Sequence, residues 1–326
     1  MTDTTSVTYD SQPSMYEINN YLTESEQDPY AKWLFKLPDR QAKARVIVRV
    51  DRMSTGNFGD VKPLGDGVWE GIRLHKNKLI HVNEHLKRLY EGADKISMNI
   101  GLKPEVLKSI LYDTLKQNNM NTDVHIRLII SRGIKSTPYQ HPKVTIGDPS
   151  IVIIPEYKKA SNNVIENGIT LGLVKTRRDN RVQDPTVNSL SKHNCISACI
   201  EAEKLGVDEG LMLDPYGFIS TCNSTNFFIF KNNQVWTSIG EHCLNGITRG
   251  AIIRLCKEYE IPIYQKDFLI EDVHQADEVF VTGTFSGVIP VVSVDGIKIG
   301  NGKRGKTTKL LQELYVLDIE KIISSS

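Results

Sequence analysis

The sequence predicts an α+β protein in two domains, and three observations carry that prediction. The chain has 326 residues, more than a single core comfortably fills. Its apolar residues switch between β-branched runs and stretches of helical period. A polar segment, EYKKASNNVIENG at 156–168, breaks the pattern between two such halves. The expected organisation is a tail over 1–40, a small α+β domain over 41–155, a linker over 156–168 and a large α+β domain over 169–326.

Residues 1–40 are rich in Asp, Ser, Thr, Asn and Pro and read as a loosely held tail. ARVIVRV (44–50) is a strand by its β-branched content, and a Gly-rich loop over 53–64 leads into a second strand, VWEGIRL. Asn83 is the expected N-cap of a helix whose apolar face carries Leu86, Leu89, Tyr90, Ala93 and Ile96. A second helix runs from about Lys103, with Leu107, Ile110, Leu111 and Leu115 on one side. VHIRLIIS (124–131) and SIVIIP (150–155) are strands. In the second half ITLGLV is a strand, and a helix covers about 191–204, ending at Gly206. LMLD, FISTC, NFFIF and QVWTS are short strands. Thr248 is expected to cap a helix from Arg249 to Tyr259, EVFVTGT and IPVVSVDG are strands, and the chain ends in a helix near 304–322.

Composition excludes several classes. A net charge of +1 argues against a general polyanion binder, so no nucleic-acid partner is expected. There is no long apolar run and no secretory leader in the opening residues, so no membrane partner is expected. Five cysteines, an odd number, suit a reducing, cytoplasmic setting. Cys195 and Cys199 are four apart, but no CxxC or HxxxH pairing supports a metal, and both read as small buried hydrophobes.

Four features suit a bound phosphate and a polar pocket. Arg88 lies on the first helix, and a guanidinium can grip a phosphate through two donors. Gly246, Ile247 and Thr248 open a helix, where free N–H groups and the helix dipole favour an anion. Thr282-Gly283-Thr284 ends an apolar strand with hydroxyl donors. DPTVNSLSK (184–192) feeds a helix with Lys192 just inside, a place where desolvation can prepare an amine for imine formation. Taken singly, these read as a surface arginine, an ordinary helix start, a strand exit and a surface lysine.

Together, in this order, they resemble the fold type IV pyridoxal-phosphate enzymes, which include branched-chain and D-amino-acid transaminases and aminodeoxychorismate lyase. The resemblance rests on GDGVWEGIR (65–73), HVNEHLKRL (81–89), HIRLIISRG (125–133), DPTVNSLS (184–191), DEGLMLDPYGFIS (208–220), NFFIF (226–230), NGITRGAI (245–252) and DEVFVTGT (277–284). It implies a homodimer of two-domain subunits with pyridoxal 5'-phosphate in the cleft between the domains. It also implies that Arg88 grips the phosphate, helped by main-chain donors of the Gly246–Ile247–Thr248 turn and by Thr284.

Two departures sit at the chemical centre. The family places its imine lysine directly after DPTV, where this chain has Asn188, and the nearest lysine is Lys192. If a helix began by Asn188, Lys192 would share its face at roughly 6 Å. The family's transaminases place a glutamate after FIS to pair with the pyridine nitrogen, where this chain has Thr221, a weaker support for an electron sink. Three functions fit this pattern. The first is an enzyme moving an amino group between an amino acid or amine and a 2-oxo acid, with Lys192 as the imine lysine and Asn188 and Thr221 beside it. Arg73 and Arg127 are then candidates for a substrate carboxylate, and a lyase or racemase is a variant. The second is a pyridoxal-phosphate or phosphate-binding protein without turnover. The third is a structural subunit.

Overall fold

The computed structural model describes residues 66–137 and 139–325; the expected tail, the strand over 44–50 and the loop over 53–64 lie outside them. Residues 66–134 and 140–325 form one compact unit. It is built on two main sheets, each with its own helices.

The first sheet has β1 (Gly67–His75), β2 (Lys78–Leu79), β3 (Val124–Ser131) and β4 (Ser150–Tyr157), in the order β2-β1-β3-β4 and antiparallel throughout. Alternation sends Val68, Ile72 and Leu74 of β1, with Val124, Ile126, Leu128 and Ile130 of β3, to one face. Two helices cover that face. α1 (Val82–Lys95) buries Val82, Leu86, Leu89 and Ala93, and α2 (Pro104–Gln117) buries Leu107, Leu111 and Leu115. Fully burying each such leucine contributes about 1.5–3 kcal/mol. The other face carries Trp69, Gly71, His125 and Arg127 and opens on a cavity.

The second sheet draws on β5 (Ile169–Leu173), β6 (Glu209–Leu213), β7 (Ile219–Cys222), β8 (Asn226–Lys231), β9 (Gln234–Thr237), β10 (Ile263–Gln265), β11 (Glu278–Gly283), β12 (Gly287–Val294) and β13 (Ile297–Lys298). Their order is β10-β9-β8-β11-β12-β5-β6-β7, with β13 paired to β12. Successive residues of β8 serve opposite faces. Phe227 and Ile229 pack with Leu171, Leu211 and Val281, and Phe228 packs with Ile252, Leu255 and Leu311. The second group lies on α5 (Ile247–Glu258) and α7 (Lys306–Ser324). The remaining helices are α3 (Asn162–Asn167), α4 (His193–Leu205) and α6 (Ile270–His274).

Several expected boundaries move for identifiable reasons. α1 is capped at His81, which turns left-handed (φ 51°, ψ 33°) so that buried Val82 begins the helix. Asn83 lies inside, and its Oδ1 accepts from Lys108 Nζ at 3.0 Å. α5 begins at Ile247 after an extended Gly246, so Thr248 sits in the first turn and does not cap it; its Oγ1 instead lies 3.5 Å from Tyr315 Oη. Within the polar stretch 156–168, Glu156 and Tyr157 prolong β4 and 162–167 form α3. Cys199 is exposed and Cys195 half-buried, against the expectation of two buried hydrophobes, because α4 gives its buried positions to Ala198 and Ala202. Among the described residues, no helix is long and apolar enough to cross a membrane, and no cluster of His, Cys, Asp or Glu is placed to hold a metal ion.

Candidate active site

A cavity of about 520 Å³ opens between the exposed face of the first sheet and the strand ends of the second. Arg88, Gly246, Ile247, Thr248 and Thr284 line one part of it, and Asn188, Lys192 and Thr221 line another. The structure thus brings all eight residues singled out by sequence to one wall or another of a single cavity. Arg127 lines it too, but Arg73 does not.

The Arg88 side is built from the core outward. Glu70 takes an inward position in β1 and is fully buried. Its Oε1 accepts from Arg88 Nε at 2.8 Å and its Oε2 from Arg88 Nη2 at 2.7 Å. His85 Nδ1, one helical turn before Arg88, lies 2.7 Å from the same Oε2. Burial pushes the Glu70 carboxyl up, but the His85 hydrogen bond and the Arg88 charge outweigh it and hold the group below its usual range. Burial holds His85 below its usual range, so the imidazole is neutral and donates its Nδ1 proton to the carboxylate. Arg88 Nη1 donates to the Asn245 carbonyl at 2.9 Å, which ties the guanidinium to the start of α5. Sequence reasoning missed Glu70 and His85. The available signal was a glutamate at an inward β position, facing a helix with His and Arg three residues apart.

The start of α5 has no side-chain cap, so the first N–H groups of Ile247 and Thr248 have no acceptor within the helix. A Cβ at Gly246 would run into Asn226 Oδ1, so glycine is what allows the chain to pass this close. Thr282 Oγ1, at the end of β11, is buried without a hydrogen-bond partner and lines the cavity. A cation, open helix N–H groups, threonine hydroxyls and an orphaned buried oxygen together fit a phosphate ester.

The Lys192 side is arranged differently from the helical spacing that sequence suggested. Residues 188–190 are not helical and run along β1, with Ser189 bridged to Val68. Trp69 N donates to Asn188 O and Leu190 N to Gly67 O, each at 2.9 Å. That pairing excludes helix there, so α4 starts at His193 with Lys192 as its N-cap. Lys192 still reaches Asn188. Its Nζ donates to Asn188 Oδ1 at 2.9 Å, and Asn188 Nδ2 donates to the Trp69 carbonyl at 2.7 Å. The amine also stands 5.5 Å from the centre of the Trp69 ring, and Arg127 lies over that ring at 4.5 Å. Burial lowers the Lys192 amine to about 8; Arg178 and Arg88 add to the lowering, while Cys195 and Glu70 oppose it.

The second sheet supplies the remaining wall. Thr221 Oγ1 donates to the Thr225 carbonyl at 2.7 Å, which leaves its lone pairs free to accept. Glu209 accepts from Ser224 Oγ at 2.7 Å and Thr225 Oγ1 at 2.8 Å. Burial raises its carboxyl despite those bonds.

Residues 67–294 match the amino-transferase class IV family. The chain belongs to that family. Its class IV fold is also that of solved relatives: the branched-chain amino acid aminotransferase of Escherichia coli aligns with a TM-score of 0.73 at 28% identity, over 78% of this chain and 86% of that one. Another solved branched-chain amino acid aminotransferase, crystallised with pyridoxamine 5'-phosphate, aligns with a TM-score of 0.72 at 25% identity, over 78% of this chain and 85% of its own. A putative branched-chain-amino-acid aminotransferase of Methanocaldococcus jannaschii is 36% identical over 77% of this chain and 86% of its own length. The chain spans only about half the length of two branched-chain-amino-acid aminotransferase-like proteins of Arabidopsis thaliana that it matches, 48% and 46%. Class IV membership accounts for the α+β fold.

Proposed function

We propose that this class IV protein is a pyridoxal-phosphate-dependent aminotransferase in which Lys192, four residues beyond the family's usual position, is the lysine that takes the cofactor. The observation that carries the reading is that the Lys192 amine, lowered to about 8, opens on the same cavity as Arg88 and the uncapped start of α5. An amine with that titration is a usable nucleophile and proton carrier near neutral pH. When bound, the cofactor supplies an aldehyde and an electron-withdrawing ring. In this reading Arg88, the Ile247 and Thr248 N–H groups and Thr284 hold its phosphate. Thr221, whose own proton is committed to the Thr225 carbonyl, accepts from the ring nitrogen without adding charge. Arg127, stacked on Trp69, receives a substrate carboxylate. The substrates are an amino donor and a 2-oxo acid, and the partner is a second copy of the chain.

One observation favours the alternative, a cofactor-binding protein without turnover: Asn188 holds the lysine's family position and is itself engaged by both Trp69 and Lys192. Borohydride reduction of the purified protein with pyridoxal phosphate, followed by peptide mapping, separates the two. The aminotransferase reading expects label on Lys192 in a sample that elutes at twice the monomer mass. Bound cofactor with no covalent label anywhere would sink it and favour the alternative.

A further inference from the structure

We infer that Arg178 is a positioning residue for Lys192: its guanidinium, buried without a carboxylate partner beside the first turn of α4, adds to burial in disfavouring the ammonium form of the amine. The inference rests on the reading of Lys192 as the reactive amine and explains how a lysine at a new position can serve.

Other sheltered arginines of this fold have more partners. Arg88 is held by Glu70 and Arg132 by Asp66. Arg249, also without a carboxylate and with an unpartnered buried Nε, still makes three hydrogen bonds, to Asn245 Oδ1, the Ser238 carbonyl and Gln265 Oε1. Arg178 has much less. It is 6% exposed, yet its partners are the Cys195 sulfur at 3.4 Å and the Pro185 carbonyl at 3.2 Å, and its buried Nε has none. No carboxylate pairs with it among the described residues. A buried guanidinium left uncompensated is costly, so its field falls on whatever lies nearby.

What lies nearby is Lys192. Cys195 sits in the first turn of α4, three residues past Lys192, and Arg178 and Lys192 line the same cavity. The charged and titratable groups acting on the amine come from four elements: Cys195 on α4, Arg178 on the loop after β5, Arg88 on α1 and Glu70 on β1. Glu70 is already shared between Arg88 and His85, and Arg88 is neutralised by it. Arg178 is the cation in this set that no carboxylate offsets, although Cys195, against which it lies, acts on the amine in the opposite direction. A second ammonium beside it is disfavoured, so the proton leaves Lys192 at a lower pH.

The test uses the full chain without added cofactor. Lys192 acetylation by acetic anhydride is followed by mass spectrometry across pH 6–11, which reads the titration of the free amine. Wild type should show a midpoint at about 8. Arg178→Gln should move the midpoint upward by half a unit or more, making Lys192 at least about threefold slower to label at pH 7.5. Arg178→Lys, which keeps the charge, should leave the midpoint near wild type. Arg178→Met, of similar volume and uncharged, takes the place of Arg178→Gln should that variant not fold, with the same upward shift expected. An unchanged midpoint in the uncharged variant, or an equal shift in Arg178→Lys, overturns the inference. Acetylation needs no cofactor. A Lys192 that responds to Arg178 but never takes borohydride label would therefore overturn the aminotransferase reading while this inference stands.

Discussion

The two ends of the cavity are built on opposite principles. At the Arg88 end the guanidinium is fixed by three hydrogen bonds, two to a fully buried carboxylate that His85 also braces. At the lysine end Lys192 has one hydrogen-bond acceptor, Asn188, and its neighbour Arg178 has no carboxylate at all. The first arrangement holds a cation in place and neutralises it before any ligand arrives. The second leaves Arg178 without a carboxylate, and burial together with that charge lowers the amine. A binding site gains from the first and a reactive amine from the second, which is why the comparison bears on function.

The largest expected effect breaks the tight end. Glu70→Ala leaves Arg88 and His85 buried without their shared acceptor, and removing one partner of a buried pair costs about 3–5 kcal/mol. Urea unfolding should show that loss. A cost under about 1 kcal/mol would mean the Arg88 end is no better fixed than the lysine end, and the contrast would fall.

The next effect sharpens the loose end through pH. Lys192 titrates at about 8 in the folded chain against 10.5 ordinarily. Between those values the unfolded chain holds the proton and the folded chain does not, so stability rises with pH across that window. Below it both states are protonated and the folded state carries the full penalty, roughly 3 kcal/mol for a shift of this size. Lys192→Met should flatten the rise in a series of denaturant melts from pH 7.5 to 10.5. A wild-type profile already flat there would mean the amine is not held neutral by the fold.

The same contrast explains what the sequence made legible. The parts of the Arg88 end were readable because they are local: an arginine at helical spacing, a glycine before a helix, hydroxyls at a strand end. The helices and most strands were readable for a similar reason, since Leu86–Leu89–Ala93 and the alternation of VHIRLIIS each declare a period. Glu70 was not, because its role depends on which residue of α1 stands over β1, a tertiary fact. Lys192 was assigned to the cavity through a helical spacing that does not exist. The lysine reaches Asn188 because residues 188–190 are pinned to β1 by long-range hydrogen bonds that no local pattern encodes. Arg178 was invisible for the opposite reason, since what marks it is a partner it lacks.

The smallest expected effect concerns Asn188, where the family's lysine would stand. Asn188→Ala removes the acceptor of the Lys192 amine and the donor to the Trp69 carbonyl. The backbone bonds that pin 188–190 to β1 remain, so the segment should keep its place and the loss should be about 1–2 kcal/mol in a urea melt. The effect on Lys192 is more telling. An amide oxygen stabilises an ammonium more than a neutral amine, because the hydrogen bond to a charged donor is the stronger one. Removing it should move the Lys192 midpoint down in the acetylation assay, opposite in sign to the shift expected for Arg178→Gln. Opposed shifts from two neighbours of one amine would show that the loose end is tuned by charge and hydrogen bonding and not by burial alone. Shifts of the same sign would indicate that both variants simply admit water, and the lysine end would then be loose without being tuned.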